Sequence, residues 1–239
     1  MITVGKNDVF HVHTYRCRHA ENIPDRDYVE KAIELGAKGI WFTDHAPFPG
    51  DPFNRAHRML CEELPEYLDT LKGLKQEFAD RINIHIGLET EYFRHFDEIG
   101  YYKQLLDTPD IEMLLLGQHM AELPQGGYSY DLDGDTLIEE EYKLLGESII
   151  DGIRSGYFQA VAHPDRIFRR RKIWEGGMED IARRIINAAG EANIPLEQNE
   201  SSKKIEKQYW EEFWKIAGSK VKTVHGLDAH FLKELYIVK

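Results

Sequence analysis

The chain has 239 residues, a formal net charge of −12 and a mean hydropathy of −0.52. That length accommodates one large α/β domain with a substantial core, and the acidic balance argues against duplex nucleic acid or an anionic membrane as partner. Two cysteines make no disulfide framework, no apolar run is long enough to span a bilayer, and "MITVGKNDVF" has neither the basic start nor the apolar run of a signal peptide, so a cytoplasmic location is expected.

Apolar, β-rich runs alternate with helical patterns along the whole sequence. The first, "DVFHVH" (8–13), ends in His11-x-His13, and a loop carrying His19 follows. "PDRDYVEKAIELGAKG" then reads as a helix, with Pro24 at a first helical position, Val29, Ile33 and Leu35 as apolar positions and Gly36 as the stop. "KGIWFTDH" (38–45) ends in Asp44 and His45 and precedes a helical pattern over 62–79. "INIHIGLE" (82–89) ends in Glu89 and leads into a helix over 96–106. "IEMLLLGQH" (111–119) ends in His119, with a helix over 135–155 behind it. "YFQAVAH" (157–163) ends in His163 and is followed by the basic run "RIFRRRK" (166–172) and a helix over 178–193. "IPLEQNE" (194–200) holds Asn199 and precedes a helix over 205–218, and "KVKTVHGLDAH" (220–230) ends in Asp228 and His230. Seven strands alternating with helices predict βα units around a parallel sheet, closed most economically as a barrel in one domain over 1–239.

In such a barrel the βα loops converge at the carboxyl ends of the strands. That is where His11, His13, His19, His45, Glu89, His119, His163, Asp228 and His230 fall. Residues i and i+2 of a strand share a face, so His11 and His13 can share an ion, as can Asp228 and His230. Imidazole and carboxylate suit zinc, manganese or iron, and no soft thiolate site is expected. Nine candidate ligands exceed what one ion takes, which points to two or three ions. A multinuclear site holds a hydroxide at neutral pH and clamps both oxygens of a phosphoryl displacement, so hydrolysis of a phosphate ester is the natural chemistry. Taken one at a time, each residue has a plain alternative: chance strand histidines, a capping His45, an ion-paired Glu89, a turn at His163. Cys17 reads as a buried small residue. Arg16, Arg18, Arg166, Arg169 and Arg170 are either solvated cations or ligands for the substrate's phosphate.

Laid out in this way, the chain resembles the PHP (polymerase and histidinol phosphatase) family, in its histidinol-phosphatase branch. The resemblance is carried by "FHVHTYRCRHAEN", "YVEKAIELGAKGIWFTDHAPFP", "IGLETEY", "LLGQHM", "AHPD", "EQN" and "GLDAH". It implies a distorted, TIM-like (β/α)7 barrel with a trinuclear centre at the carboxyl ends of the strands. One ion would take His11, His13, Glu89 and Asp228; a second would share Glu89 and use His119 and His163; a third would use His19, His45 and His230. A bridging hydroxide would then hydrolyse a small phosphate ester, L-histidinol phosphate of histidine biosynthesis, with Asp44 as a candidate acid or as an orienting group for a histidine. Gln118 and Leu227 depart from the family pattern and would reshape the pocket, where Asn199 is a further candidate. Trp41, Phe48, Phe53 and Tyr92 could wall an imidazole. Phosphotyrosine or a nucleotide is the alternative substrate. An amidohydrolase is a further alternative, although His119 stands where that family wants a bridging lysine or glutamate.

Overall fold

A computed structural model describes residues 3–50, 57–129 and 141–238. Phe53 and the stretch 135–140 of the expected fourth helix lie outside the described residues. The strands are β1 (Asp8–Val12), β2 (Gly39–His45), β3 (Asn83–Thr90), β4 (Met113–Leu116), β5 (Ala160–Val161), β6 (Leu196–Asn199) and β7 (Thr223–Gly226), joined in the order β1-β2-β3-β4-β5-β6-β7. The pairs β1 with β2, β2 with β3, β4 with β5, and β5 with β6 are parallel. This is the strand order of the expected (β/α)7 barrel. Among the described residues no helix is long and apolar enough to cross a membrane.

The chain divides into two compact units. One comprises the described residues up to Glu89 with Leu105–Leu114 and those from His225 onward; the other comprises Thr90–Gln104 and Leu115–Val224. In the first, every residue of β2 is buried, as its near-continuous apolar run foretells for a strand covered on both faces. Helix α1 (Asp25–Glu34) buries Tyr28, Val29 and Ala32, whereas Ile33 and Leu35 are only half-buried, and Pro24 caps the helix rather than opening it. The chain beyond β7 lies parallel beside β1: Leu227 N–H donates to the Phe10 carbonyl at 2.8 Å, Ala229 N–H to the His11 carbonyl at 3.0 Å, and His13 N–H to the Ala229 carbonyl at 2.9 Å. β1 is not a plain pleat. It pairs Val9 with Ile40 and Val12 with Phe42, one residue more on β1 than on β2, and His11 takes a φ of 68° at this bulge.

Helix α2 (Leu64–Glu77) completes that side. The helix expected over 96–106 is two pieces, α3 (Arg94–Glu98) and α4 (Tyr101–Asp107), because Gly100 adopts a left-handed φ of 73° that ends the first. The second unit carries α5 (Glu141–Ser155), α6 (Gly176–Ala192) and α7 (Glu211–Ala217). α6 starts two residues before its expected position, while α7 forms only the last half of the pattern over 205–218. A short 3-10 turn at Ser202–Lys204 stands ahead of α7.

Candidate metal centre

Seven of the nine expected ligands lie in the first unit, and they meet. Glu89, with no exposed surface at the end of β3, presents Oε2 at 3.5 Å from Nε2 of His11, 3.5 Å from Nε2 of His13 and 3.2 Å from Nδ1 of His45. Asp228 Oδ1 lies 3.7 Å from Nε2 of His11, 3.2 Å from Nε2 of His13 and 3.6 Å from Nδ1 of His230. The His230 ring stacks on His13 with centroids 4.2 Å apart, and its Nε2 is 2.8 Å from Nε2 of His19. His11 and His13 thus share the same two carboxylates, as their spacing suggested, but the β1 bulge rather than simple pleating aims them. His11 and Asp228 both hold positive φ, 68° and 53°, a cost that a non-glycine residue bears where the surrounding structure enforces it.

The donor set fits divalent cations. Burial pushes the pKa of His230 down to about 3 and lowers that of His19, so both stand as neutral imidazoles with a lone pair to give. Burial would lower His13 too, yet Asp228, Asp44 and Glu89 outweigh it and lift the group to about 9. So dense a set of buried carboxylates draws a positive charge to this point. Coordinating atoms of His11, His13 and Asp228 lie within 4.8 Å of one another, as do those of His13, His45 and His230, and of Cys17, His19 and His230. The last group brings the buried Cys17 thiol to the edge of the cluster, and burial pushes that thiol well up, away from the thiolate form.

In the second unit His119 and His163 form a pair with ring centroids 5.0 Å apart. His163 is buried and takes a φ of 30°, and its N–H donates to Glu197 Oε2 at 3.0 Å. His119 Nδ1 lies 2.9 Å from Oε1 of the buried Glu91.

Residues 10–201 match the PHP domain. The chain belongs to the PHP family. It is 28% identical over 251 residues to the histidinol-phosphatase of Bacillus subtilis, with 92% of each chain covered. It is also 32% identical over 162 residues to a Deinococcus radiodurans protein named probable histidinol-phosphatase, a match spanning 65% of this chain and 59% of that relative. Among solved structures, the histidinol phosphate phosphatase of Lactococcus lactis, complexed with zinc, L-histidinol and phosphate, shares the fold with a TM-score of 0.74 at 23% identity, over 95% of this chain and 87% of that one.

In this PHP chain several residues expected at the substrate make hydrogen bonds and ion pairs within the protein. The Arg16 guanidinium is buried, bonding both oxygens of Asp25 (3.1 and 2.8 Å), both of Glu66 (2.7 and 2.9 Å) and Thr14 Oγ1 (3.1 Å). Arg18 is exposed and paired with Glu63. Gln118 is buried with its amide spent on the backbone of Tyr92 and Met120. Asn199, also buried, accepts from Arg166 and from the N–H of Ser202 and donates to Glu197. Arg166 further donates to Ser202 Oγ at 2.8 and 3.0 Å, and Arg170 pairs with Glu141. Asp44, without exposed surface, accepts from the N–H and hydroxyl of Thr14 and from the N–H of His45, and faces His13 Nδ1 at 3.5 Å. That arrangement places Asp44 where a carboxylate orients a histidine ring. Trp41 packs between Phe10 and His85, so core packing rather than a substrate wall accounts for it. The strand-end pattern missed Glu91, two residues past Glu89, and His57, whose ring lies 5.8 Å from that of His19.

Proposed function

We propose that the chain is a metal-dependent phosphomonoesterase that hydrolyses L-histidinol phosphate to L-histidinol and phosphate. The observation that carries the reading is the gathering of His11, His13, His45, His230, Glu89 and Asp228 within 3.2–3.7 Å carboxylate-to-imidazole contacts, in a family whose curated relatives bear that activity's name. Two or three divalent ions, zinc, manganese or iron, are assigned to His11, His13, Glu89 and Asp228, to His19, His45 and His230, and to His119 and His163. Such ions supply Lewis acidity and a nucleophilic water at neutral pH, the two needs of phosphate-ester hydrolysis.

The chain's own residues do the rest. Asp44, braced by Thr14, fixes the His13 ring from its Nδ1 side. Arg169 is the residue assigned to the phosphate. Its guanidinium donates to the His119 carbonyl at 3.0 Å, and among the described residues it forms no carboxylate pair. That leaves it donors and charge for a phosphoryl oxygen beside His119.

Phosphate release from L-histidinol phosphate, phosphotyrosine and a nucleoside monophosphate, measured with elemental analysis of the same samples, tests the reading. Preference for L-histidinol phosphate with at least two ions per chain is expected. A strong preference for the nucleotide, or fewer than two ions in loaded protein, would overturn it, the latter favouring an amidohydrolase.

A further inference from the structure

A metal-binding imidazole needs one ring nitrogen protonated and held and the other left with its lone pair. His119 meets that condition through a residue outside the nine. Glu91 has no exposed surface, and its Oε1 stands 2.9 Å from Nδ1 of His119. A carboxylate in that place accepts a proton from Nδ1, so the lone pair rests on Nε2 and the ring cannot swivel without losing a charge-assisted bond.

Glu91 sits just beyond the bonded part of β3, where a backbone free to move would not hold a side chain to a ring. Gln118 supplies the restraint. Its Oε1 accepts from the N–H of Tyr92 at 2.9 Å, while Nε2 donates to the carbonyls of Tyr92 at 3.4 Å and Met120 at 2.8 Å. One buried amide thereby ties the residue after Glu91 to the residues on either side of His119. The Tyr102 hydroxyl adds a second tie, donating to the Glu91 carbonyl at 2.9 Å and accepting from the N–H of Phe93 at 2.7 Å.

We propose that Glu91 is the positioning residue of His119, holding its ring with the proton on Nδ1, and that Gln118 is the clamp that keeps Glu91 within reach. This rests on the assignment of His119 as a metal ligand. It also gives Gln118, a departure from the family pattern, a task that needs no contact with substrate.

Glu91→Gln keeps the shape and removes the charge. With near-ultraviolet circular dichroism of the metal-free protein unchanged, the variant should bind zinc, measured by chelator competition, roughly 10- to 100-fold more weakly than wild type. Its kcat should fall while the KM for the phosphate ester stays close to wild type. Gln118→Ala should weaken zinc in the same direction by less, and the double variant should lose less than the two single losses combined, because both act on one ring. Nitrogen-15 spectra of the metal-free wild type should place the His119 proton on Nδ1. Undiminished zinc affinity in Glu91→Gln overturns the proposal, and so does a His119 proton on Nε2, a result that holds even where the variant fails to fold. Wild type that takes up no zinc would bring down the ligand assignment and the proposal together, whereas loaded, active wild type beside an indifferent Glu91→Gln brings down the proposal alone.

Discussion

Replacing Arg16 by Met keeps the apolar stem and deletes the cation from a site where a carboxylate has been taken out of water. The two acidic partners are unequal. The Glu66 side chain is 55% exposed, so its half of the pairing is worth at most about 1 kcal/mol. The Asp25 side chain is 1% exposed, and breaking a buried pair from one side costs about 3–5 kcal/mol. Burial already pushes Asp25 from 3.8 up to about 6 against the pull of Arg16. Without Arg16 its pKa moves higher still. A carboxyl whose folded pKa is raised contributes stability that is full below its unfolded value and is lost as pH rises through the folded value. In the wild type that loss is complete a little above pH 6; in the variant it continues. The gap between the two proteins should therefore open above the wild-type value of about 6 by about 1.4 kcal/mol per pH unit, reaching about 3 kcal/mol at pH 8, the lower end of what breaking a buried pair costs. Urea unfolding of chelator-treated protein at several pH values reads it without the added stability of bound metal. Near pH 8 the midpoint temperature should drop by about 2–4 °C for each kcal/mol lost. Equal stability at pH 8, joined to a raised KM for the phosphate ester, would refute the reasoning and return Arg16 to the substrate.

His13→Ala removes the ring that faces Asp228, Asp44 and Glu89; elemental analysis should show a lost ion and phosphate release should fall more than about 100-fold, beyond the cost of losing an outer partner. Trp41→Phe gives up the bond from Nε1 to Asp8 Oδ2 and part of the stacking on His85, so unfolding should show a loss of about 1–2 kcal/mol while KM is unchanged. Gly73→Ala should raise stability by about 0.5–1 kcal/mol in a thermal scan, because a Cβ there meets nothing within 4 Å on helix α2. Gly87→Ala should lower it by about 1–3 kcal/mol, since the new Cβ would stand 2.6 Å from Met113 Cγ and 3.1 Å from its carbonyl oxygen.

The strands were legible because a parallel strand covered on both faces must be apolar almost throughout, so a His, Asp or Glu at its end stands out against "GIWFT" or "MLLL". Their lengths were not. The run 157–163 yields only Ala160–Val161 as bonded strand, since pairing depends on neighbours that the run itself does not name. His11 and His13 were placed together for an incomplete reason: period two assumes a regular pleat, and the bulge between Val9 and Val12 has no glycine to announce it. Gly100, by contrast, carries its own signal, and the break between α3 and α4 follows from it.

Polar residues near the site are where sequence says least, and the reason is physical. A buried donor or acceptor must be satisfied, and its partner can lie anywhere in the chain: Arg16 reaches Glu66 fifty positions away, and Gln118 reaches Tyr92 twenty-six away. Arg16, Gln118 and Asn199 each direct several hydrogen bonds into the protein. Among the described residues Arg169 directs one, to the His119 carbonyl. Burial lowers its pKa against the pull of the Glu141 charge, its hydrogen bond is to a neutral carbonyl, and among the described residues it forms no carboxylate pair. A guanidinium left in that condition is stabilised by an arriving anion, and among the arginines of the "RIFRRRK" run this distinguishes it from Arg170, paired with Glu141, and from Arg166, bonded to Asn199 and Ser202. The basic run marked the region, and among the described residues the bonds each arginine makes are what favour Arg169 in the proposed phosphate role.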